Sequence, residues 1–372
     1  MRFGKVRLQP WLVPVLLVFI AWPARGAGGG EGETASPRSR GDSGSHASPA
    51  SGPFVAVTIS DPAVCGTSRG GPFQHIYVAI TDVQAFTSPT SLQGGVDLTP
   101  TLSEHPIQID LLGAPRGCVL ATLASSTWVP AGTYKQLALS LAGRDQASKI
   151  PGGTKCRGGS ASCAVLADGS VVDLDASSVG SQQYSIPPER IAGGQITLVH
   201  GLHTLNIDVD ACASMLLIGG VGYGIDPTMF AALLPPSGAI IGRVLDLNTK
   251  QPIAGDTIIA LEQQDGDGVD REIMQTGPGR EGSFKLCPVP AGTYDVVAAA
   301  VSEAGTAYAA TIITGVQPGY SLGDVLLQPA GAPANITGQV TASFDGFPGY
   351  SHVLVSALQG IASRLVHKYS YI

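Results

Sequence analysis

Val129-Pro130-Ala131-Gly132-Thr133-Tyr134 recurs letter for letter as Val289-Pro290-Ala291-Gly292-Thr293-Tyr294. Each copy opens a run patterned for a strand, Lys135 to Leu141 after the first and Asp295 to Ala300 after the second. Pro and Gly punctuate a turn, and the Tyr then enters the strand. A turn-then-strand unit used twice predicts an all-β chain of tandem β-sandwich modules, immunoglobulin-like or transthyretin-like. Such modules usually hold or bind rather than react.

Working outward from the first copy, the pattern stays β from Phe54 to about Leu234. Strands are expected at Phe54 to Ser60, His75 to Thr87, Ile107 to Leu111, Tyr134 to Leu141, Ser170 to Leu174 and Gln195 to Asp210. The last run is long, and His200-Gly201 is expected to split it by a bulge or turn. Pro235-Pro236-Ser237-Gly238 punctuates a boundary. Around the second copy, residues 239–330 carry six more short runs, from Ile240–Leu247 to Asp324–Gln328. A third unit then begins: Ala239-Ile240-Ile241-Gly242-Arg243-Val244 is echoed by Asn335-Ile336-Thr337-Gly338-Gln339-Val340. This echo predicts an incomplete second copy of the module. Within it, Ile361, Leu365 and Lys368 stand at helical spacing.

The N-terminus reads as a signal peptide: Arg2, Lys5 and Arg7, then the apolar Trp11 to Trp22, then Ala24-Arg25-Gly26 as the cleavage site. The apolar core is too short to span a bilayer, so no membrane span is expected after its removal. Residues 27–52 are rich in Gly, Ser, Ala and Pro, the composition of a disordered linker. The expected organisation is therefore 1–26 signal peptide, 27–52 linker, 53–236 and 237–330 β-sandwiches, and 331–372 the incomplete copy. Removing residues 1–26 takes four basic residues and no acids, so the formal charge moves from −7 to −11. An acidic chain without a Lys/Arg block argues against nucleic acid and anionic lipid as partners. An even number of cysteines in an exported chain favours disulfides. Cys156 and Cys163 flank a short Gly/Ser-rich loop and are the first expected pair; Cys65 with Cys118 is the second.

Two families are similar in their motifs. Gly238-Ala-Ile-Ile-Gly-Arg-Val-Leu-Asp, Pro252-Ile-Ala-Gly255, Gly282-Ser-Phe284, Leu286 and Val289-Pro-Ala-Gly-Thr-Tyr294 together resemble a carboxypeptidase regulatory-like domain. That resemblance implies a transthyretin-like sandwich acting as a non-catalytic accessory. Upstream, His75 to Val83, Ile109-Asp-Leu-Leu112, Val129 to Leu137, Leu166-Ala-Asp-Gly169 and Leu205 to Asp210 are similar to the bacterial secreted domain of unknown function 4382. It implies a fold class and a compartment, not an activity.

Several residues are candidates for chemistry. Gly41-Asp42-Ser43-Gly44 matches a serine-protease nucleophile turn, but only signal and linker precede it to supply the His and Asp. Gly219 to Gly224 is glycine-rich without the strand-then-helix frame of a phosphate cradle. Asp265, Asp267, Asp270 and Glu272 are expected in one loop between strands, where oxygen ligands could hold Ca²⁺, although an exposed acidic loop is the simpler reading. No other cofactor is expected. Asp208 and Asp210 share one face of a strand, placed to bind a ligand or, more simply, to face solvent. Trp128, the one Trp outside the signal segment, is expected to pack in the core or the turn; exposed, it could stack on a sugar. The sequence thus reads as a secreted, periplasmic or cell-surface protein of the bacterial envelope. The expectation is non-catalytic binding or surface presentation, with polysaccharide, cell wall or an envelope protein as partner. The alternative is a structural component whose sheet edges pair with partner strands.

Overall fold

In the computed structural model, the described residues are 52–61, 73–113, 118–174, 183–211, 213–218, 222–234, 238–264, 270–331, 357–360 and 368–371. The expected signal segment, residues 27–51 of the expected linker and most of 331–372 lie outside them. Residues 52–341 form one compact unit, and residues 1–51 with 342–372 form another.

The described residues of the larger unit are all β apart from short 3-10 turns and connecting loops. It begins with β1 (Pro53–Ser60), β2 (Phe73–Phe86), β3 (Val96–Asp97), β4 (Ile107–Asp110) and β5 (Ala121–Trp128). Next come β6 (Gly132–Tyr134), β7 (Gln136–Leu141), β8 (Cys163–Leu166), β9 (Val171–Asp173) and β10 (Gln183–Ile186). Then follow β11 (Ile196–Leu198), β12 (Gly201–Asp210), β13 (Met215–Ile218), β14 (Gly222–Ile225) and β15 (Thr228–Leu233). One sheet has the order β15-β12-β1-β5, with β1 parallel to β12. The other runs β10-β7-β2-β8-β9, with β3 and β4 also on β2.

Period-two alternation explains this sandwich. Val55, Val57 and Ile59 of β1 are fully buried and meet Ile76, Val78 and Ile80 of β2 and Leu137, Leu139 and Leu141 of β7 in one core. Each such side chain contributes about 1.5–3 kcal/mol on burial. The long run before Asp210 splits at Gly201, whose φ of 129° suits glycine and few other residues.

The second sandwich holds β16 (Gly238–Asp246), β17 (Gly255–Gln264), β18 (Asp270–Thr276), β19 (Ser283–Val289) and β20 (Tyr294–Ser302). It is completed by β21 (Ala307–Tyr308), β22 (Thr311–Val316), β23 (Ser321–Leu327) and β24 (Pro329–Gly331). Its sheets run β19-β16-β23 and β18-β17-β20-β21-β24, with β22 also on β20. A separate core gathers Ile240, Val244, Ile259, Leu261, Leu286, Val296 and Val325.

The repeated hexapeptide folds the same way twice. Tyr134 donates its hydroxyl to the Pro130 carbonyl at 2.8 Å, and Tyr294 donates to Pro290 at 2.9 Å. In both copies the Val and the Tyr are buried. The hydroxyl therefore closes the corner from within, as tyrosine corners do in other sandwiches.

In the smaller unit, β25 (Ala357–Gly360) and β26 (Lys368–Tyr371) pair as an antiparallel hairpin. The helical spacing through Lys368 is thus overridden: cross-strand pairing takes Lys368–Tyr371.

Candidate functional site

The outer face of the β15-β12-β1-β5 sheet carries the side chains that alternate with the core. On β1 these are Phe54, Ala56, Thr58 and Ser60; on β12 they are Leu202, Thr204, Asn206, Asp208 and Asp210. The register pairs Phe54 with Leu202 on one side and with Trp128 of β5 on the other. All three are exposed: Phe54 at 42%, Leu202 at 71% and Trp128 at 49%. With neighbouring strands about 4.8 Å apart, they make an apolar row about 10 Å long. The indole also lies against Gly52, where an added Cβ would meet ring carbons at 2.9 and 3.2 Å. Trp128 was expected inside the core or turn; it ends an edge strand instead, packed on one side and open on the other. Phe54 and Leu202 escaped the sequence reading, although both stand at the solvent-facing parity of their strands.

Along the same face the surface becomes polar and then buried. Thr58 Oγ1 donates to Asn206 Oδ1 at 2.9 Å, and Asn206 Nδ2 donates to Ser60 Oγ at 2.8 Å. Ser60 Oγ in turn donates to Asp208 Oδ1 at 2.7 Å, while Asp208 Oδ2 is buried without a hydrogen-bond partner. Burial pushes the Asp208 carboxyl well above the usual carboxylate range; the Ser60 hydroxyl opposes this and Asp210 adds to it. Asp208 and Asp210 were expected to face solvent. They are buried, because the second sandwich covers this end of the sheet.

That cover is β18, which runs against β12, β15 and the 3-10 turn Pro188–Arg190. Gln275 Nε2 of β18 donates to Asp210 Oδ2 at 2.5 Å. Glu272 lies near Arg190 and Asp210. Burial raises its pKa to about 8, with the Arg190 guanidinium pulling it down and Asp210 pushing it up. Glu262 of β17 stands opposite Glu272 in register, and opposite Asp295 of β20 on its other side. Its pKa is pushed up to about 9, by burial first and then by Glu272, Asp270 and Asp295. Both Oε atoms of Glu262 and one of Glu272 are buried without a hydrogen-bond partner. Arg190 sits with its guanidinium carbon 5.4 Å from the centre of the Phe230 ring.

These positions revise the calcium expectation. Asp265 and Asp267 lie outside the described residues. Asp270 and Glu272 are not in an exposed loop but on β18, both buried. Among the described residues no three His, Cys, Asp or Glu side chains gather as a metal site.

Cys156 and Cys163 are joined, with Cα atoms 5.6 Å apart. Cys118 is joined to Cys287 of β19, 169 residues away, and not to Cys65, which lies outside the described residues. A pairing between nearby sequence positions missed it because the bond crosses from one sandwich to the other.

Among solved structures, the streptococcal ancillary pilin aligns at 12% identity with a TM-score of 0.21; 76% of this chain is covered and 64% of the pilin. The shaft pilin SpaA from Lactobacillus rhamnosus GG aligns at 9% identity with a TM-score of 0.22, over 76% of this chain and 98% of the pilin. No curated protein matches the chain. The first sandwich has a counterpart in sequence: residues 54–227 match the family described as the domain of unknown function DUF4382.

Proposed function

We propose that this is an exported, non-catalytic surface protein that holds neutral polysaccharide on the Trp128–Phe54–Leu202 row. The observation that carries this reading is the exposure of three large apolar side chains in cross-strand register on one sheet face. Their neighbours on that face, Ala56, Thr58, Thr204 and Asn206, are uncharged and mostly able to form hydrogen bonds. Sugar rings present C–H faces to aromatics and hydroxyls to such a rim. The chain's formal charge of −7 disfavours polyanions. Disulfides fit an oxidising compartment outside the cytoplasm.

The second sandwich fits the accessory role implied by its likeness to carboxypeptidase regulatory-like domains. Gly255 and Gly282 of that pattern have φ of 146° and 75°, and a Cβ on either would run into the carbonyl oxygen of Val301 or Val244. Strand addition at the β5 edge is the weaker reading. The β5 ladder with β1 shifts register twice, and bulges of this kind turn an edge away from incoming strands.

Affinity electrophoresis through gels holding neutral or acidic polysaccharides tests the proposal. One or more neutral glycans should retard the protein. Trp128→Ala should weaken that binding about fivefold or more, the loss of roughly 1 kcal/mol of ring contact. Equal retardation of wild type, Trp128→Ala and Phe54→Ala would sink it.

A further inference from the structure

Between β7 and β8, both partners of β2, the chain makes an excursion over residues 142–162 that contains no strand. Connections longer than about 12–15 residues are uncommon in compact domains unless they carry a function. This one is held at three points. Ala147, Ile150 and Ala161 close on Ala79 and Ala142 in a small core of their own. Gln108 of β4 clamps the middle: its Nε2 donates to Thr154 Oγ1 at 3.0 Å and to the Ala161 carbonyl at 2.9 Å. Its Oε1 accepts from the Lys155 amide at 2.8 Å. The Cys156–Cys163 bond closes the far half. The 3-10 turns Arg144–Lys149 and Arg157–Gly159 thereby meet in one lobe.

The surface of this lobe is basic. Arg144, Lys149, Lys155 and Arg157 are exposed, and no Asp or Glu occurs between residues 146 and 167. Asp173 of β9 holds Arg144 at 3.3 Å, whereas Lys149, Lys155 and Arg157 have no ion-pair partner among the described residues. The nearby acids in sequence are Asp145, Asp173 and Asp175, the last outside the described residues, so bases outnumber acids by four to three. The whole chain, by contrast, carries a formal charge of −7. Gly152, Gly153, Gly158 and Gly159 turn through φ of 72° to 81°, and a Cβ on any of them would meet nothing within 4 Å. The backbone beside the cations is therefore open to close approach.

We propose that this lobe docks a phosphate-bearing polymer of the cell envelope. The Arg157 guanidinium and the bare glycine backbone beside it suit an anion with several oxygens, and Lys149 and Lys155 add point charges. A stapled lobe has already met part of the ordering cost that a free loop would meet on binding. The net charge of the chain opposes a polyanion only at range: screening confines it to about 8 Å at physiological salt, and inside that distance the lobe's own charges decide. A lipid surface fits less well, because the lobe exposes no large apolar side chain to insert. A nucleic acid fits less well, because residues 142–162 include no aromatic on which bases would stack. The lobe belongs to the β2 sheet and the Trp128 row to the other, so neither site depends on the other.

The test is equilibrium binding of the full chain to immobilised poly(glycerol phosphate) at low and moderate salt. Polygalacturonate and phosphatidylglycerol vesicles serve as comparison arms. Wild type should bind the phosphate polymer at about 50 mM salt and lose roughly tenfold in affinity by about 200 mM, as counterion release by a few contacts requires. Lys149→Gln with Lys155→Gln and Arg157→Gln should bind about tenfold more weakly. Lys250→Gln with Arg280→Gln and Lys285→Gln makes the same change in net charge on exposed positions of the second sandwich and should bind as wild type does. Trp128→Ala should also leave this binding unchanged, which separates it from the row. Absence of wild-type binding at low salt would overturn the proposal. So would equal affinities of the two triple variants, or tighter binding to polygalacturonate or to vesicles than to the phosphate polymer.

Discussion

At the scale of single residues, Tyr134 and Tyr294 do the same work in different modules. Each buried hydroxyl satisfies a proline carbonyl four residues back. Tyr134→Phe and Tyr294→Phe should therefore each lower stability by about 1 kcal/mol, with nearly equal losses in urea unfolding. This device was legible because all its parts lie in one hexapeptide. Asp208 and Asp210 were legible only in part. Alternation placed them correctly on the face away from the core, but it carries no information about what covers that face. The cover comes from β18, more than sixty positions later in the chain. Trp128 was misread for the converse reason: a large aromatic is usually sheltered, and only the open side of β5 leaves this one half bare.

Among elements, the strands with alternating apolar side chains were the readable ones. β1, β2, β7 and β12 announce themselves by period two, and Gly201 marks the break before β12. β5 did not, because Ala, Thr and Ser fill most of it and an edge strand needs few apolar contacts. β18 was read as part of an acidic loop. Its carboxyls Asp270 and Glu272 are buried, and local pattern cannot encode what covers them. Turn chemistry fared better. Gly282 stands at φ 75° with the Val244 carbonyl where a Cβ would go. Gly282→Ala should cost about 2 kcal/mol or more, combining backbone strain with displacement of β16 from β19. Calorimetry should show the loss in the transition of the second sandwich. An unchanged transition would mean that β16 yields freely.

For the molecule as a whole, the described residues join the cores of the two sandwiches by the Gln275–Asp210 hydrogen bond and the Cys118–Cys287 disulfide. The bond closes a loop between positions 169 apart, which restricts the unfolded chain by roughly 5 kcal/mol in chain-entropy terms. Cys118→Ser with Cys287→Ser should lower the unfolding midpoint, whereas the Cys156–Cys163 loop, closed over 7 positions, should contribute less. Differential scanning calorimetry of both double variants checks the order. The tandem-sandwich class could be read before any coordinates, since one turn grammar was written twice. How the sandwiches are fastened could not, because cysteine spacing does not specify connectivity.

The same bond also decides how the protein would meet tension. If the chain were pulled from its two sides, force entering at residue 52 would leave the backbone at Cys118 and rejoin it at Cys287. The residues between those two positions would be shielded from the pull and could not be drawn out while the bond holds. Of the strands left in the path, β1 lies parallel to β12 and β23 lies parallel to β16. Each of these two strands would have to slide along a partner that the bond holds in place, so its ladder bonds would resist together in shear instead of unzipping one by one. Built this way, the chain could lengthen only by the residues outside that closed loop.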